Sequence, residues 1–386
     1  MKIICNRESL ASSFGLAMYA VKAQSPKPIL RNVKLEAHDG EIVLFATDME
    51  VGIRVTFPCD QVLEAGSVIL SDRVLFMLKE CREEMVTIES DATKTVITGD
   101  SRFVFATEDP EEFPGTPTFE ENNFIVTKAR YVKEAIKRTI FATDNESGRY
   151  ALGGVQMDYK SNLLNFVATD GRRMAAQQID AAVQGEYPEQ KTAIATVRSL
   201  TLLDRLLLHG EADVCLALQE NSFMVKSENV FFYSSLLEGR FPDWRVGLGQ
   251  VRNPQTIELP IQLFSQAIRL AAIVTDKTCP GVILEFGDGK MTVSAANAER
   301  GEIEKSFAID FQNEWTALKL NEEYVSAFLR TLSDESIVKM NFVDSRTGVL
   351  FETNDGYRYL VMPMQLEPRR KPQEEEAEGS ESSESA

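Results

Sequence analysis

Pro28-Ile29-Leu30-Arg31-Asn32-Val33-Lys34-Leu35-Glu36, running on to Phe45-Ala46-Thr47-Asp48, returns as Tyr150-Ala151-Leu152-Gly153-Gly154-Val155-Gln156-Met157-Asp158, running on to Val167-Ala168-Thr169-Asp170. A third version starts at Pro280-Gly281-Val282-Ile283-Leu284-Glu285-Phe286 and reaches Val293-Ser294-Ala295-Ala296-Asn297. Each reads as a strand, a tight turn and a second strand, with the alternation of half-buried strands on both sides. Asp39-Gly40 and Asp288-Gly289 supply the positive backbone φ that a short hairpin needs, and Lys160-Ser161-Asn162 does so in the middle copy. Phe113-Pro114 recurs as Phe241-Pro242, and at the same distance along the chain Phe231 recurs near Tyr359.

This repetition divides the chain into residues 1 to about 122, 123 to about 253 and 254 to about 366. Every copy also offers two amphipathic helices. Asn6 is placed to cap one with Leu10, Phe14, Ala17, Met18 and Val21 on its apolar face, and Ser71 another with Val74, Met77, Leu78 and Cys81. The middle copy has Val132, Ala135, Ile136 and Ile140, then Leu200, Leu203 and Leu207. The last has Phe264, Ala267, Ile268 and Ala271, then Tyr324, Val325, Phe328 and Leu329 after a cap at Asn321. Strands with two helices, three times over, make an α+β chain of tandem domains. After Leu366 the composition turns to Arg369-Arg370-Lys371-Pro372-Gln373 followed by Glu and Ser, so residues 367–386 are expected to be a disordered acidic tail.

Composition removes whole classes of function. No apolar run nears the roughly 20 residues that cross a bilayer, and the start lacks a signal-peptide core, so a soluble cytoplasmic protein is expected, without a membrane partner. The cysteines, Cys5, Cys59, Cys81, Cys215 and Cys279, form no CxxC pair, and with two histidines, one of them His209, there is little material for a metal site or a catalytic triad. No metal and no cofactor is expected. A formal charge of −18 excludes a protein that simply coats nucleic acid, unless positive charge is segregated.

That segregation is visible on the helices. Arg130, Lys133 and Lys137 share one face opposite the apolar stripe, Arg198, Thr201 and Arg205 repeat the spacing, and Lys79 and Arg82 do likewise in the first copy. Arg269 and Arg330 continue the pattern weakly in the third, and Lys22, Arg73 and Arg149 are counted with the same lining. No helix-turn-helix, zinc finger or RNA-binding signature accompanies them. The implied contact is with phosphates of duplex DNA, blind to sequence and sensitive to salt.

In Lys27-Pro28-Ile29-Leu30, Ala168-Thr169-Asp170-Gly171-Arg172-Arg173, Glu238-Gly239-Arg240-Phe241-Pro242-Asp243 and Val361-Met362-Pro363-Met364-Gln365-Leu366, the chain resembles the bacterial DNA sliding clamps, the beta subunits of DNA polymerase III. The resemblance spans Met1 to Leu366. It implies a non-enzymatic processivity factor: a head-to-tail homodimer closing a ring, with helices lining the hole and sheets outside. It also implies a pocket that receives short peptides from the replicative polymerase, the clamp loader, other polymerases and repair proteins. The matching pocket residues are Leu152, Thr169, Gly171, Arg173, Pro242, Met362, Pro363 and Met364, with Met174 in place of a usual aliphatic residue and Leu360 of a usual valine; Arg172, Asn321 and Tyr324 are counted with them. The sequence departs at Val246-Gly247, where a basic residue and valine are usual, and at Gln365, where arginine is common. For the dimer contact the reading places a strand bearing Phe103 and Phe105 against the partner's third domain near Ile273 and Val274, since an unpaired strand of that kind is an aggregation hazard.

Two other classes compete. A DNA-cutting enzyme needs clustered carboxylates around metal ions, whereas Asp48 and Asp170 fall one per copy; Gly287-Asp288-Gly289-Lys290-Met291-Thr292 lacks the spacing of a phosphate loop. A peptide scaffold with no DNA function fits the acidity but leaves the repeated basic faces unexplained.

Overall fold

The turns determine how each copy begins. In the structure, a computed structural model that describes residues 1–366 apart from 92, 107, 116, 120 and 145–149, Asp39 and Gly40 take φ of 50° and 82°, Ser161 and Asn162 51° and 65°, and Asp288 and Gly289 51° and 70°. All three hairpins therefore turn in two residues, and their twist matches that of the strands they join. The acidic segment from 367 onward lies outside the described residues.

Each copy contributes two sets of antiparallel strands. In the first copy Val33–His38, Glu41–Thr47 and Val51–Pro58 form one set, and Met85–Ser90, Lys94–Thr98 and Arg102–Ala106 the other. The sheets then run across the copies. A nine-stranded sheet joins the first to the second through Val230–Ser235, which lies antiparallel to Val51–Pro58, and an eight-stranded sheet joins the second to the third through Tyr357–Val361 against Arg173–Asp180. In each case the last strand of one copy pairs with the third strand of the copy before it. The counterparts of these joining strands at the two ends of the chain stay at sheet edges: Arg102–Ala106 in a five-stranded sheet and Gly301–Ala308 in a four-stranded one.

Two helices per copy pack on these sheets as a pair. The first of each lies across the third strand of its own copy: Arg7–Ala17 on Val51–Pro58, Ala129–Thr139 on Arg173–Asp180, and Ile261–Ala271 on Gly301–Ala308. Their apolar stripes are buried where the helices run, with Leu10, Phe14, Val132, Ala135, Phe264 and Ile268 at 3% exposure or less, whereas Met18, Val21 and Ile140 lie past the helix ends and are half-buried. The Asn6 side chain accepts from the Glu8 and Ser9 amides, and Asn321 from the Tyr324 amide. Ser71 does not cap its helix. Asp72 takes the cap position in helical geometry without a side-chain bond, and Ser71 contributes only its carbonyl, to the Val74 amide at 3.0 Å.

The structure also shifts one equivalence by a residue. Tyr359 occupies the place of Phe232, not Phe231: both are fully buried in the main core, and both face the third strand of the preceding copy, at Ala175 and Ile53 respectively. Phe231 points to the opposite face, where it packs edge-on to Phe119. The cysteines are all free, and among the described residues no helix is long and apolar enough to cross a membrane.

Candidate functional site

The basic helix faces carry less free charge than the sequence suggests. Arg130 is paired with Glu211, Lys133 lies 3.0 Å from Asp204, and Lys22 and Arg198 lie 2.9 and 2.6 Å from Asp48. Arg205 stacks over Tyr19. Arg73, Lys79, Arg82, Lys137, Arg269 and Arg330 are exposed and make no ion pair among the described residues. Arg149 lies outside the described residues. These helix faces thus mix free and neutralised cations, a pattern that suits loose contact with phosphates better than tight binding.

Asp48 holds the junction of the first two copies. Its side chain is 2% exposed, and its Oδ1 accepts from the Glu50 and Val51 amides at 3.0 and 2.8 Å, while its Oδ2 faces Lys22 of the first copy and Arg198 of the second. Burial alone would raise its pKa, but the Lys22 bond, the Val51 amide and the Arg198 charge outweigh it and hold the carboxyl below the ordinary range. A depressed folded pKa stabilises the fold above the unfolded value, near 3.9, and that contribution is lost as pH falls through the folded value. The thermal midpoint should therefore drop below about pH 4, and Asp48→Asn should flatten that acid limb. Equal acid slopes for parent and variant would remove Asp48 as the cause.

The equivalent loop between the second and third copies is built differently. Asp170 Oδ1 accepts from the Arg172 and Arg173 amides, both at 2.9 Å, and Thr169 Oγ1 donates to the Arg173 carbonyl at 2.6 Å. Gly171, with φ of 86°, lets this turn close. Arg173 bonds Asp170 Oδ2 at 2.9 Å and the Phe141 carbonyl at 2.8 Å, and its guanidinium lies 4.4 Å over the Tyr324 ring. The Arg172 carbonyl receives the Met362 amide at 2.8 Å, and the Met364 amide reaches the Lys319 carbonyl at 2.7 Å.

Around this loop, Leu152, Met174 and Leu360 join one apolar cluster with Phe241, Trp244 and Leu248. Met362 is 39% exposed above it, Pro363 and Met364 are half-buried, and Pro242 is exposed at the start of the Trp244–Leu248 helix. Tyr324 joins through the Tyr359 hydroxyl, which donates to its carbonyl, and Asn321 caps its helix. Thirteen residues drawn from both copies thus gather at one junction. The departures are also connected: a Cβ at Gly247 would stand 3.2 Å from Met174 Cε. The small residue makes room for the long, adaptable one, so two substitutions amount to one change of packing. Trp244, Leu248 and Phe141 were not legible as parts of this site; the Glu238–Asp243 stretch stops just short of the first two.

On the edge strand, Phe103 and Phe105 stack with centroids 6.3 Å apart, and Phe103 and Val104 are 39% and 51% exposed. Ile273 is 69% exposed, but Val274 is 6% exposed and belongs to the main core. The same turn is tied to the other unpaired strand, since Arg300 donates to the Thr275 carbonyl at 2.9 Å just before Gly301.

Three family models match the chain: DNA polymerase III beta subunit, N-terminal domain, over residues 1–117, central domain over 127–243 and C-terminal domain over 252–365. The beta sliding clamp of Vibrio cholerae is 28% identical over 95% of this chain and all of its own length, and that of Haemophilus influenzae 26% over the same shares. Among solved structures, a Pseudomonas aeruginosa sliding clamp bound to griselimycin superposes with a TM-score of 0.87 at 25% identity, covering 95% of this chain and 100% of that one. A Bacillus subtilis sliding clamp shares the fold with a TM-score of 0.87 at 24% identity and the same coverage.

Proposed function

The chain belongs to the family of DNA polymerase III beta subunits, the bacterial sliding clamps, and on that premise we propose that two copies close head to tail around duplex DNA in the cytoplasm. The ring performs no chemistry of its own. It tethers the replicative polymerase, the clamp loader and other replication and repair proteins through the pocket at Leu152, Thr169, Pro242, Met362 and Met364. Its domains are residues 1–122, 123–253 and 254–366.

The observation that carries this reading is the pair of unmatched strands. Within the chain, Phe232 faces Ile53 and Tyr359 faces Ala175 at two successive junctions. Phe103 occupies the place of Phe232, because it pairs with Ile97 as Phe232 pairs with Val225; Ile303 occupies the place of Ile53, because it pairs with Ala295 as Ile53 pairs with Ala46. A third junction of the same kind would set Phe103 opposite Ile303 of the partner subunit and Arg102 opposite Glu304 of the partner subunit. Two such junctions close a ring and leave no open sheet edge of this kind. The helices, on the same side of every copy, then line the hole.

One pocket per chain follows from the same comparison. Where the second junction has Met174 beside Leu360, the first has Gly52 beside Tyr233, and a Cβ on Gly52 would lie 2.0 Å from the Tyr233 ring. Tyr233 also bonds Thr47, the counterpart of Thr169, at 3.0 Å. An aromatic ring occupies the first junction where the second carries Met174 and Leu360, whose adaptable side chains suit a site for partner peptides.

Met364→Ala tests the pocket. It should weaken a Gln-Leu-x-Leu-Phe peptide by roughly 1 to 3 kcal/mol, on the order of five- to hundredfold, with the dimer and DNA loading unchanged. Calorimetry beside sedimentation decides: equal affinities would put the partner site elsewhere, and a variant that falls apart would make Met364 part of the core.

A further inference from the structure

We propose that Asp158 is a positioning residue of the peptide pocket, acting through Trp244 and Arg245; the inference rests on the pocket assignment above. Asp158 lies on the strand Gly154–Lys160, 1% exposed, and its Oδ2 receives the Trp244 indole N–H at 2.9 Å and an Arg245 N–H at 2.6 Å. Its Oδ1 has no partner among the described residues. A buried carboxylate held by one oxygen costs stability in proportion to its desolvation, so a purely packing role would be served better by an apolar residue. Its bonds both reach one target: the helix Trp244–Leu248.

That helix has five residues, too few to persist without anchors. Asp243 caps it, accepting from the Arg245 amide at 3.2 Å, and Asp158 clamps its first two residues to the sheet. The indole is further covered by Arg245 at 4.3 Å and by Arg358 of the third copy at 5.4 Å. On its other side the helix sets the pocket, because Gly247 stands over Met174 and Leu248 packs with Met174, Leu152 and Leu360. The turn that carries Leu152, Tyr150–Gly153, runs directly into the strand of Asp158. A single carboxylate therefore fixes the distance between the Leu152 wall and the Pro242–Gly247 wall.

The chain has two tryptophans, and Trp315 is 59% exposed, so Trp315→Phe leaves Trp244 as the only reporter. In that background, a Gln-Leu-x-Leu-Phe peptide with serine at x should shift the Trp244 emission as it binds. Asp158→Ala should weaken the peptide roughly tenfold and move the resting emission to the red; Asp158→Asn, whose amide oxygen still accepts from the indole, should recover most of the affinity. Trp244→Phe removes the indole N–H together with part of a buried ring and also the fluorophore, so its affinity is read by calorimetry; it carries the comparison should Asp158→Ala fail to fold, with an expected loss of a few fold. Parent-like affinity in both Asp158→Ala and Trp244→Phe, or a Trp244 emission unmoved by peptide whose binding calorimetry registers, would overturn the positioning role of Asp158 alone. A parent protein giving no heat with the peptide would overturn the pocket assignment itself.

Discussion

Phe103→Asp should sediment as a monomer at concentrations where the parent protein forms the proposed dimer. Phe103 is 39% exposed on an edge strand of the single chain, where its contacts are with Phe105 and Ile97, so the change should act mainly where a second subunit covers the site. There it places a carboxylate opposite Ile303 of the partner subunit, in a contact that is apolar at that position. Burying an unpaired charge of that kind costs about 3 kcal/mol or more. A head-to-tail dimer contains the seam twice, so the penalty reaches about 6 kcal/mol, on the order of a ten-thousandfold rise in the dissociation constant. The register itself is tested by charge reversal: Arg102→Glu and Glu304→Arg should each weaken the dimer, and the two together should restore it. A Phe103→Asp protein that remains a dimer, with the fold verified by circular dichroism, would place the subunit contact on another surface.

The hairpins were legible because positive φ has few sequence solutions; Asp-Gly and Ser-Asn leave little choice. The helix stripes were legible for the same reason, since a periodicity of 3.6 exposes a buried face directly. Pairing between copies was not legible. Val230–Ser235 and Arg102–Ala106 have similar patterns, yet one lies inside a nine-stranded sheet and the other at an edge; a strand's own residues do not say which neighbour it meets. The Phe231 slip has a related cause. The connections between equivalent strands differ in length from copy to copy, as the turns before Val230–Ser235 and Tyr357–Val361 do, so a constant offset along the chain does not keep register.

Charge was the least legible property of the candidate site. Helical spacing put Arg130 and Lys133 on one face, but their acidic partners, Glu211 and Asp204, come from distant segments that periodicity on one helix does not reach. The pocket showed the opposite pattern. Its residues were carried by the resemblance, and the chain's own variation, Met174 with Gly247, became intelligible only when the 3.2 Å approach brought the two together. Asp158 gave no sequence signal, because a carboxylate in an alternating strand reads as a solvent-facing position.

The central claim is encirclement, and its effect on residence should be the largest of all. A lining whose cations are partly neutralised holds DNA weakly at any one phosphate, and sliding requires this. Retention must then come from topology: once closed, the ring leaves only by opening or by reaching an end. The decisive measurement loads the protein onto a nicked circular plasmid with clamp loader and ATP, and follows bound protein through gel filtration before and after a single restriction cut. Protein that stays on the circle in moderate salt and is lost when the circle is linearised is the predicted result. Equal release from circular and linear DNA, or retention that depends on base sequence, would contradict the ring.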